Sequence, residues 1–238
     1  GLRAARRCWR RILRTEPFRL RQGRDHLFLA AHWSMQSEKL FEFPEVGNVT
    51  LGQIEVVDAH EARLSGARRN VAASRCTLVV PYASDVAYHV GHRREMAFED
   101  WAARPIDVSY YFEPRRYRLR CCPRCYDATA LRRQSLRLAQ FMPDLVSSIA
   151  MRRMPLGPYA ETLTRSRFCL VIRGDTPSTH AFFDAIAASC IPILVSDRFQ
   201  EVALPLARGS RGRLREGGVD LASFVLQIRE EMWTNHFE

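Results

Sequence analysis

The chain has 238 residues, 47% of them hydrophobic, so it can bury a core as one large domain or two small ones. Its longest nearly apolar run, AIAASCIPILV at 185–195, contains a proline and falls well short of the roughly 20 residues that cross a bilayer. A net charge of +10 suits a polyanion partner, but the basic residues are spread along the chain and all but Lys39 are arginine. This distribution indicates compositional bias rather than a dedicated nucleic-acid site.

The sequence opens with a basic leader, GLRAARRCWRRILRTEPFRLR, whose arginines recur at helical spacing. The leader lacks the apolar core and cleavage site of a signal peptide. We interpret it as the solvated face of a helix, with contact to a membrane surface or an acidic polymer as the alternative. Because the sequence does not begin with Met, we expect an anchor or targeting segment upstream.

Four short apolar or β-branched runs predict strands along the first half of the chain. The first, DHLFLAAHW at 25–33, follows the turn signal QGRD. The others are IEVV at 54–57, TLVV at 77–80 and IDVSYYF at 106–112. The Arg and Pro content between 95 and 105 suggests a domain boundary there.

The segment ATALRRQSLRLAQFMPDLVSSIAM, at 128–151, predicts a helix that Pro143 kinks or breaks. Its apolar residues recur at helical spacing: Leu131, Leu138, Phe141, Leu145 and Ile149. Strands that alternate with helices indicate an α/β fold with parallel sheets.

The clearest strand–helix–strand pattern is FCLVIRGDTPSTHAFFDAIAASCIPILVSD, at 168–197. We predict a strand at 168–172, an N-cap at Thr176 with Pro177 in the first helical position, and a second strand at IPILV. Small and apolar residues share the predicted inner face of the helix: Ala181, Phe182, Ala185, Ile186 and Ser189.

The turn between this strand and helix carries the chemistry of an anion site. Ligands of parallel sheets bind beyond the carboxyl ends of the strands, where the N–H groups of a helix N-terminus favour phosphate. Ser178 and Thr179 add hydroxyl donors, and Arg173 or His180 adds positive charge. The turn is thus suited to a nucleoside diphosphate, with ordinary helix capping as the alternative.

His180 and Asp184 are four residues apart and share a helix face. Because side chains lean toward the helix N-terminus, Asp184 can point to the same ligand and accept hydrogen bonds from ribose hydroxyls. The alternative is a surface His–Asp pair.

The seven cysteines leave several arrangements open. Cys122 and Cys125 have CxxC spacing, and His89 and His92 could complete a tetrahedral zinc site with them. A disulfide among Cys121, Cys122 and Cys125 in an oxidising lumen is a second arrangement, and free thiols are a third.

The segment RSRFCLVIRGDTPSTHAFFDAIAASCIPILVSD resembles the signature of exostosin-like glycosyltransferases, the family of heparan-sulfate polymerases and many plant and algal wall-polysaccharide transferases. The shared features are a serine and a basic residue before FCL, the Gly-Asp-Thr-Pro-Ser turn, FDAI, the Cys-Ile-Pro strand and the SD that follows. Weaker similarities are GRDHLFLAAH, LVVPY and LPL, and the resemblance spans residues 22–206.

The resemblance implies a GT-B architecture, with two Rossmann-like lobes and an incomplete N-terminal lobe. Residues 1–100 would be the remnant of the acceptor-side lobe, and residues 101–238 would bind the nucleotide sugar. It further implies inverting, metal-independent transfer from a UDP-sugar to a glycan acceptor, without cofactor or nucleic acid. The setting would be the Golgi lumen, for a type II membrane protein whose anchor lies outside this chain.

The donor-site residues of the family map onto the turn and the helix that follows it: Arg173, Gly174, Asp175, Ser178, Thr179, His180 and Asp184. Asp184 would contact the ribose. Where the family often has arginines, this chain has His180 and Ala181.

The catalytic base is expected at Asp25 or His32, because the His-Asp-Trp of many plant members is reduced to His32-Trp33. Two other functions stay open: a catalytically silent relative that assembles with an active transferase, and a basic module that binds acidic polysaccharide or nucleic acid.

Overall fold

The computed structural model describes residues 2–30, 48–53, 76–91, 96–111, 131–132, 134–135, 137, 140, 146–150, 154–174, 177–200 and 220–235. They fall into two compact units, one that ends at Pro81 and one that begins at Tyr82. All described strand pairs in both units are parallel, which confirms the α/β class.

In its described residues, the first unit shows two helices and a three-stranded sheet. Its elements are α1 (Leu2–Ile12), α2 (Glu16–Arg21), β1 (Leu27–Ala30), β2 (Thr50–Gln53) and β3 (Cys76–Val79). The strand order is β1-β2-β3, with Leu27 opposite Thr50 and Thr50 opposite Cys76. The predicted strands at 25–33 and 77–80 are confirmed in β1 and β3, and the one predicted at 54–57 lies outside the described residues.

An aromatic cluster packs this unit together. The ring of Trp9 on α1 contacts those of Phe18 and Phe28 edge-on, and Phe18 is almost fully buried. Gly23 has φ +83, and a Cβ there would lie 2.7 Å from the Phe18 ring. The turn QGRD therefore requires glycine both for its backbone angle and for the space. No helix in the described part of the chain is long and apolar enough to cross a membrane.

The second unit has a five-stranded sheet in the order β5-β4-β6-β7-β8. Its elements are α3 (Asp85–Val90), α4 (Phe98–Ala102), β4 (Ile106–Tyr111), β5 (Val146–Ala150), α5 (Leu156–Thr164), β6 (Ser166–Ile172), α6 (His180–Ala187), β7 (Ile191–Val195), β8 (Leu226–Gln227) and α7 (Glu230–Asn235).

Strand β6 is buried on both faces, as parallel strands are. Cys169 and Val171 pack with Phe182 of α6 in one core cluster, while Leu170 and Ile172 face a second cluster on the opposite side. The predicted strand at 168–172, the helix and the strand IPILV are thus confirmed.

A disulfide joins Cys169 of β6 to Cys190, the residue before β7, with the two Cα atoms 5.8 Å apart. The sequence did not predict this pair. The disulfide predicted among Cys121, Cys122 and Cys125 lies outside the described residues.

Two local predictions were wrong. The segment 146–150 is not the end of a helix but strand β5, because β-branched residues after Pro143 pair with β4 instead. The helix after β6 begins at His180, three residues later than the predicted first helical position at Pro177, with Thr179 as an extended N-cap. The Pro177 carbonyl accepts a hydrogen bond from Ser196 Oγ at 2.7 Å, which holds Pro177 in the turn.

One residue of α6 differs from its predicted environment, and the contacts of α3 place it in the second unit. Ile186, predicted on the inner face of α6, is 41% exposed. Helix α3 packs against α5 and α6, so residues 82–91 belong by contact to the second unit. The assignment of residues 1–100 and 101–238 to the two lobes of a GT-B fold stays a prediction.

Candidate functional site

A cavity of about 490 Å³ opens in the second unit at the carboxyl ends of β4 and β6, where α6 begins. This is the edge at which parallel sheets bind ligands. The side chains of the cavity that bear charge, hydroxyl or imidazole groups are Asp85, Tyr110, Tyr111, Arg132, Tyr159, Thr179, His180 and Asp184.

Asp184 is the hydrogen-bonding centre of this cavity, although only 2% of the residue is exposed. Ser84 Oγ donates to its Oδ1 at 2.6 Å, and the Tyr159 hydroxyl donates to its Oδ2 at 3.2 Å. His180 Nδ1 lies 2.8 Å from the same Oδ2. The carboxylate therefore has three donors from this chain, and burial without them would be costly.

His180 stands one helical turn before Asp184, and its side chain is 40% exposed. The hydrogen bond to Asp184 raises the pKa of His180 above its ordinary value, against the opposing effect of burial. The Tyr82 ring packs against the imidazole edge-on, with centroids 5.7 Å apart. The imidazole is therefore fixed in orientation and biased toward its charged form.

Tyr159 of α5 completes the network. Burial raises the pKa of its phenol far above the ordinary value, and the neighbouring Asp184 raises it further. The hydroxyl thus stays protonated and donates to Asp184. Its ring packs against Tyr111, whose hydroxyl accepts from Met154 N at 3.1 Å.

Arg132 brings a second positive charge to the cavity. A Cβ placed on Gly174 would lie 3.7 Å from Arg132 Nη2, so the guanidinium reaches the turn after β6. Among the described residues no carboxylate forms an ion pair with Arg132. Sequence reasoning missed this residue, since nothing in LRRQSLR distinguishes one arginine from its neighbours.

Arg173, predicted to grip the diphosphate, lies elsewhere. It is 5% exposed and does not line the cavity. Its Nε donates to Glu230 Oε2 on α7 at 2.9 Å, and its backbone N–H donates to Val195 O at 3.1 Å. These contacts attach the turn after β6 to the neighbouring strand and to α7.

Ser196 and Asp197, the SD that follows β7, also have structural roles. Asp197 Oδ1 accepts from the backbone N–H of Glu230 at 3.0 Å, and Glu230 Oε1 accepts from the Asp197 N–H at 3.2 Å. Ser196 donates to Pro177, and its own carbonyl accepts from Gln227. Ser196 and Asp197 thus hold the turn after β6 and the start of α7 in place.

The other predicted donor-site residues divide into three groups. Thr179 lines the cavity together with His180 and Asp184. Ser178 is buried and does not line the cavity, and Gly174 lies next to the Arg132 guanidinium. Asp175 lies outside the described residues.

The two candidate bases lie before and after β1 in the sequence. Asp25 precedes the strand, is half-exposed, and accepts a hydrogen bond from His26 Nδ1 at 2.9 Å. That bond lowers the pKa of Asp25 below its usual value. His32 follows the strand but lies outside the described residues.

Of the four predicted zinc ligands, the structure describes only His89. His89 is exposed at the end of α3, while His92, Cys122 and Cys125 lie outside the described residues. Within the described ranges, His, Cys, Asp and Glu form no cluster of three or more that could hold a metal ion.

Comparison with protein families gives a match over most of the chain. The model of the exostosin GT47 domain, a glycosyltransferase family of GT-B architecture, matches residues 4–205. A search of curated proteins found no match to the chain. The family match covers most of the chain and includes both parallel sheets up to β7, as the signature around β6 and α6 led us to expect. The chain belongs to the exostosin GT47 family of glycosyltransferases.

Proposed function

We propose that this chain transfers a sugar from a UDP-sugar to a glycan acceptor with inversion, and that the cavity holds the donor diphosphate. The observation that carries the proposal is the meeting of Arg132, His180 and the N-terminus of α6 in one cavity at the carboxyl edge of the sheet. Two cations and a helix N-terminus together favour a phosphate group.

The chemistry needs a base and a stabilised leaving group. The base takes the proton of the acceptor hydroxyl as that oxygen attacks the anomeric carbon, and UDP departs with its negative charge. Arg132, His180 and Thr179 line the cavity, and in this proposal they stabilise that charge by hydrogen-bond donation. No metal or cofactor is part of this proposal.

Of the two candidate bases, we favour His32. Asp25 precedes β1 and so lies at the amino end of that strand, whereas ligands bind beyond the carboxyl ends. The lowered pKa of Asp25 also makes it the weaker base. His32 comes two residues after the carboxyl end of β1 in the sequence.

We place the protein in the Golgi lumen, as a type II membrane protein whose anchor lies outside this sequence. Exostosin family members typically reside in the Golgi. The disulfide between Cys169 and Cys190 supports an oxidising compartment, since structural disulfides persist there and are rare in the cytosol.

Changing Arg132 to Ala is expected to weaken UDP binding by about tenfold or more, the effect of losing a charge-assisted hydrogen bond to phosphate. Isothermal calorimetry at fixed ionic strength measures the affinity. The matched control is Arg137→Ala, which removes an exposed arginine from the same segment and should leave UDP binding unchanged.

The proposal fails if the wild-type chain binds no UDP at millimolar concentration and transfers or hydrolyses no sugar from a panel of UDP-sugars. Stable complex formation with an active transferase, without UDP binding, would instead establish a catalytically silent partner.

A further inference from the structure

The buried carboxylate of Asp184 has little capacity left for a ligand. An ionised carboxylate offers about four acceptor positions, and Ser84, Tyr159 and His180 take three of them. One position is left, and with 2% of the residue exposed little of it is open to a ribose hydroxyl. The role that family resemblance implies for Asp184 therefore conflicts with its hydrogen bonds.

We propose that Asp184 is a positioning residue, which holds the imidazolium of His180 toward the donor diphosphate and does not bind the ribose. The inference rests on the proposed function for the identity of the ligand. His180 would then supply the positive charge that arginines supply in relatives, with the difference that its charge depends on pH.

The spacing and the contacts suit this role. The residues are one helical turn apart, and the Nδ1···Oδ2 distance of 2.8 Å commits Nδ1 to Asp184. Ser84 fixes the other carboxylate oxygen from the start of α3, so the carboxylate cannot rotate freely. The half-exposed imidazole borders the cavity beside Thr179.

Groups on other elements also face the imidazole. Asp85 on α3 and the Ala83 carbonyl favour its charged form, Tyr159 on α5 shares its carboxylate partner, and Arg132 lines the same cavity. The hydrogen bond that His180 donates to Asp184 is the strongest influence and raises the pKa of His180, while burial lowers it. Donor affinity should therefore be highest at mildly acidic pH and fall as pH rises through the pKa of His180.

The test measures UDP affinity by calorimetry from about pH 5.5 to 8.5, the range over which a perturbed histidine titrates. We expect wild-type affinity to fall about tenfold across it, the scale of one charge-assisted hydrogen bond. His180→Arg is the matched control, because it keeps a cation and shares the titration of the UDP phosphate itself. The UDP affinity of His180→Arg should change with pH only as far as titration of the UDP phosphate changes it, without the fall that loss of the His180 charge causes in wild type.

Two variants of the network should move the wild-type midpoint in opposite directions. Asp184→Asn removes the negative charge and shifts the midpoint to lower pH. Tyr159→Phe removes one hydrogen-bond donor from Asp184, so the negative charge of the carboxylate stabilises the charged imidazole of His180 more strongly. The midpoint then shifts to higher pH. Tyr159→Phe is conservative enough to serve if Asp184→Asn does not fold.

The double variant His180→Arg/Asp184→Asn decides between the two roles of Asp184. It should keep the UDP affinity of His180→Arg and the same preference for UDP over 2′-deoxy-UDP. If the double variant instead binds UDP more weakly than His180→Arg and no longer prefers UDP over 2′-deoxy-UDP, Asp184 binds the ribose and the inference is overturned.

An NMR titration of the His180 ring separates this inference from the proposed function. A His180 pKa that is equal in wild type and Asp184→Asn overturns the positioning role, whether or not UDP binds. Absence of UDP binding in wild type and in His180→Arg would remove the proposed function, and with it the diphosphate as ligand.

Discussion

Changing Arg173 to Ala is expected to lower the free energy of unfolding by about 3 kcal/mol, since one partner of a largely buried ion pair is lost. The side chain of Glu230, which is 22% exposed in the ion pair, would lose its guanidinium partner. UDP affinity of the folded variant should stay close to wild type, because Arg173 does not line the cavity. Guanidinium unfolding and calorimetry on the same sample measure the two effects.

The control for this prediction is Arg165→Ala. Its ion pair with Glu161 is exposed, with side-chain exposures of 55% and 67%, and should change stability by less than about 1 kcal/mol. A double-mutant cycle with Glu230→Ala should show strong coupling to Arg173. The opposite result, normal stability with loss of UDP binding, would restore Arg173 as the diphosphate ligand that its motif suggests.

Removing the disulfide is expected to cost a similar amount. In the chain-entropy model, a cross-link between residues 21 positions apart contributes about 3 kcal/mol. The double variant Cys169→Ser/Cys190→Ser should therefore unfold at clearly lower denaturant concentration than wild type. Adding reductant to the wild type should reproduce the shift.

Cys8→Ser is the matched control for the disulfide, because Cys8 is exposed and unbonded. It should unfold like wild type under oxidising and reducing conditions. If reductant left the unfolding midpoint of wild type unchanged, the thiols of Cys169 and Cys190 would not be bonded in solution.

The strands of both units could be predicted wherever apolar runs are short and bounded by turn residues. The described residues between 131 and 140 confirm the helix predicted at 128–151, but its predicted end is wrong, because Leu145 and Ile149 fit helical spacing while Val146–Ala150 also suits a strand. Pairing with β4 decided between them, and pairing is not visible in a local pattern. The same limit applies to Cys169 and Cys190, which come together only through the register of β6 and β7.

The site residues on α6 could be predicted from the sequence, whereas those on other elements could not. His180 and Asp184 share a helix, so their spacing revealed the pair. Ser84 reaches Asp184 from 100 positions away and Tyr159 from 25, and nothing in the sequence links them. The motif does not separate the two kinds of residue it contains, since Asp184 lines the cavity while Arg173 pairs with Glu230 and supports the turn.

Ser84 has two tasks whose coupling can be observed. Its Oγ donates to Asp184 and accepts from the Ala87 N–H at 3.1 Å as the N-cap of α3. Donation to a charged carboxylate makes the same oxygen a stronger acceptor. Hydrogen exchange at the Ala87 amide should therefore quicken when Asp184→Asn removes that charge, so one backbone amide on the neighbouring helix reports a substitution inside the cavity.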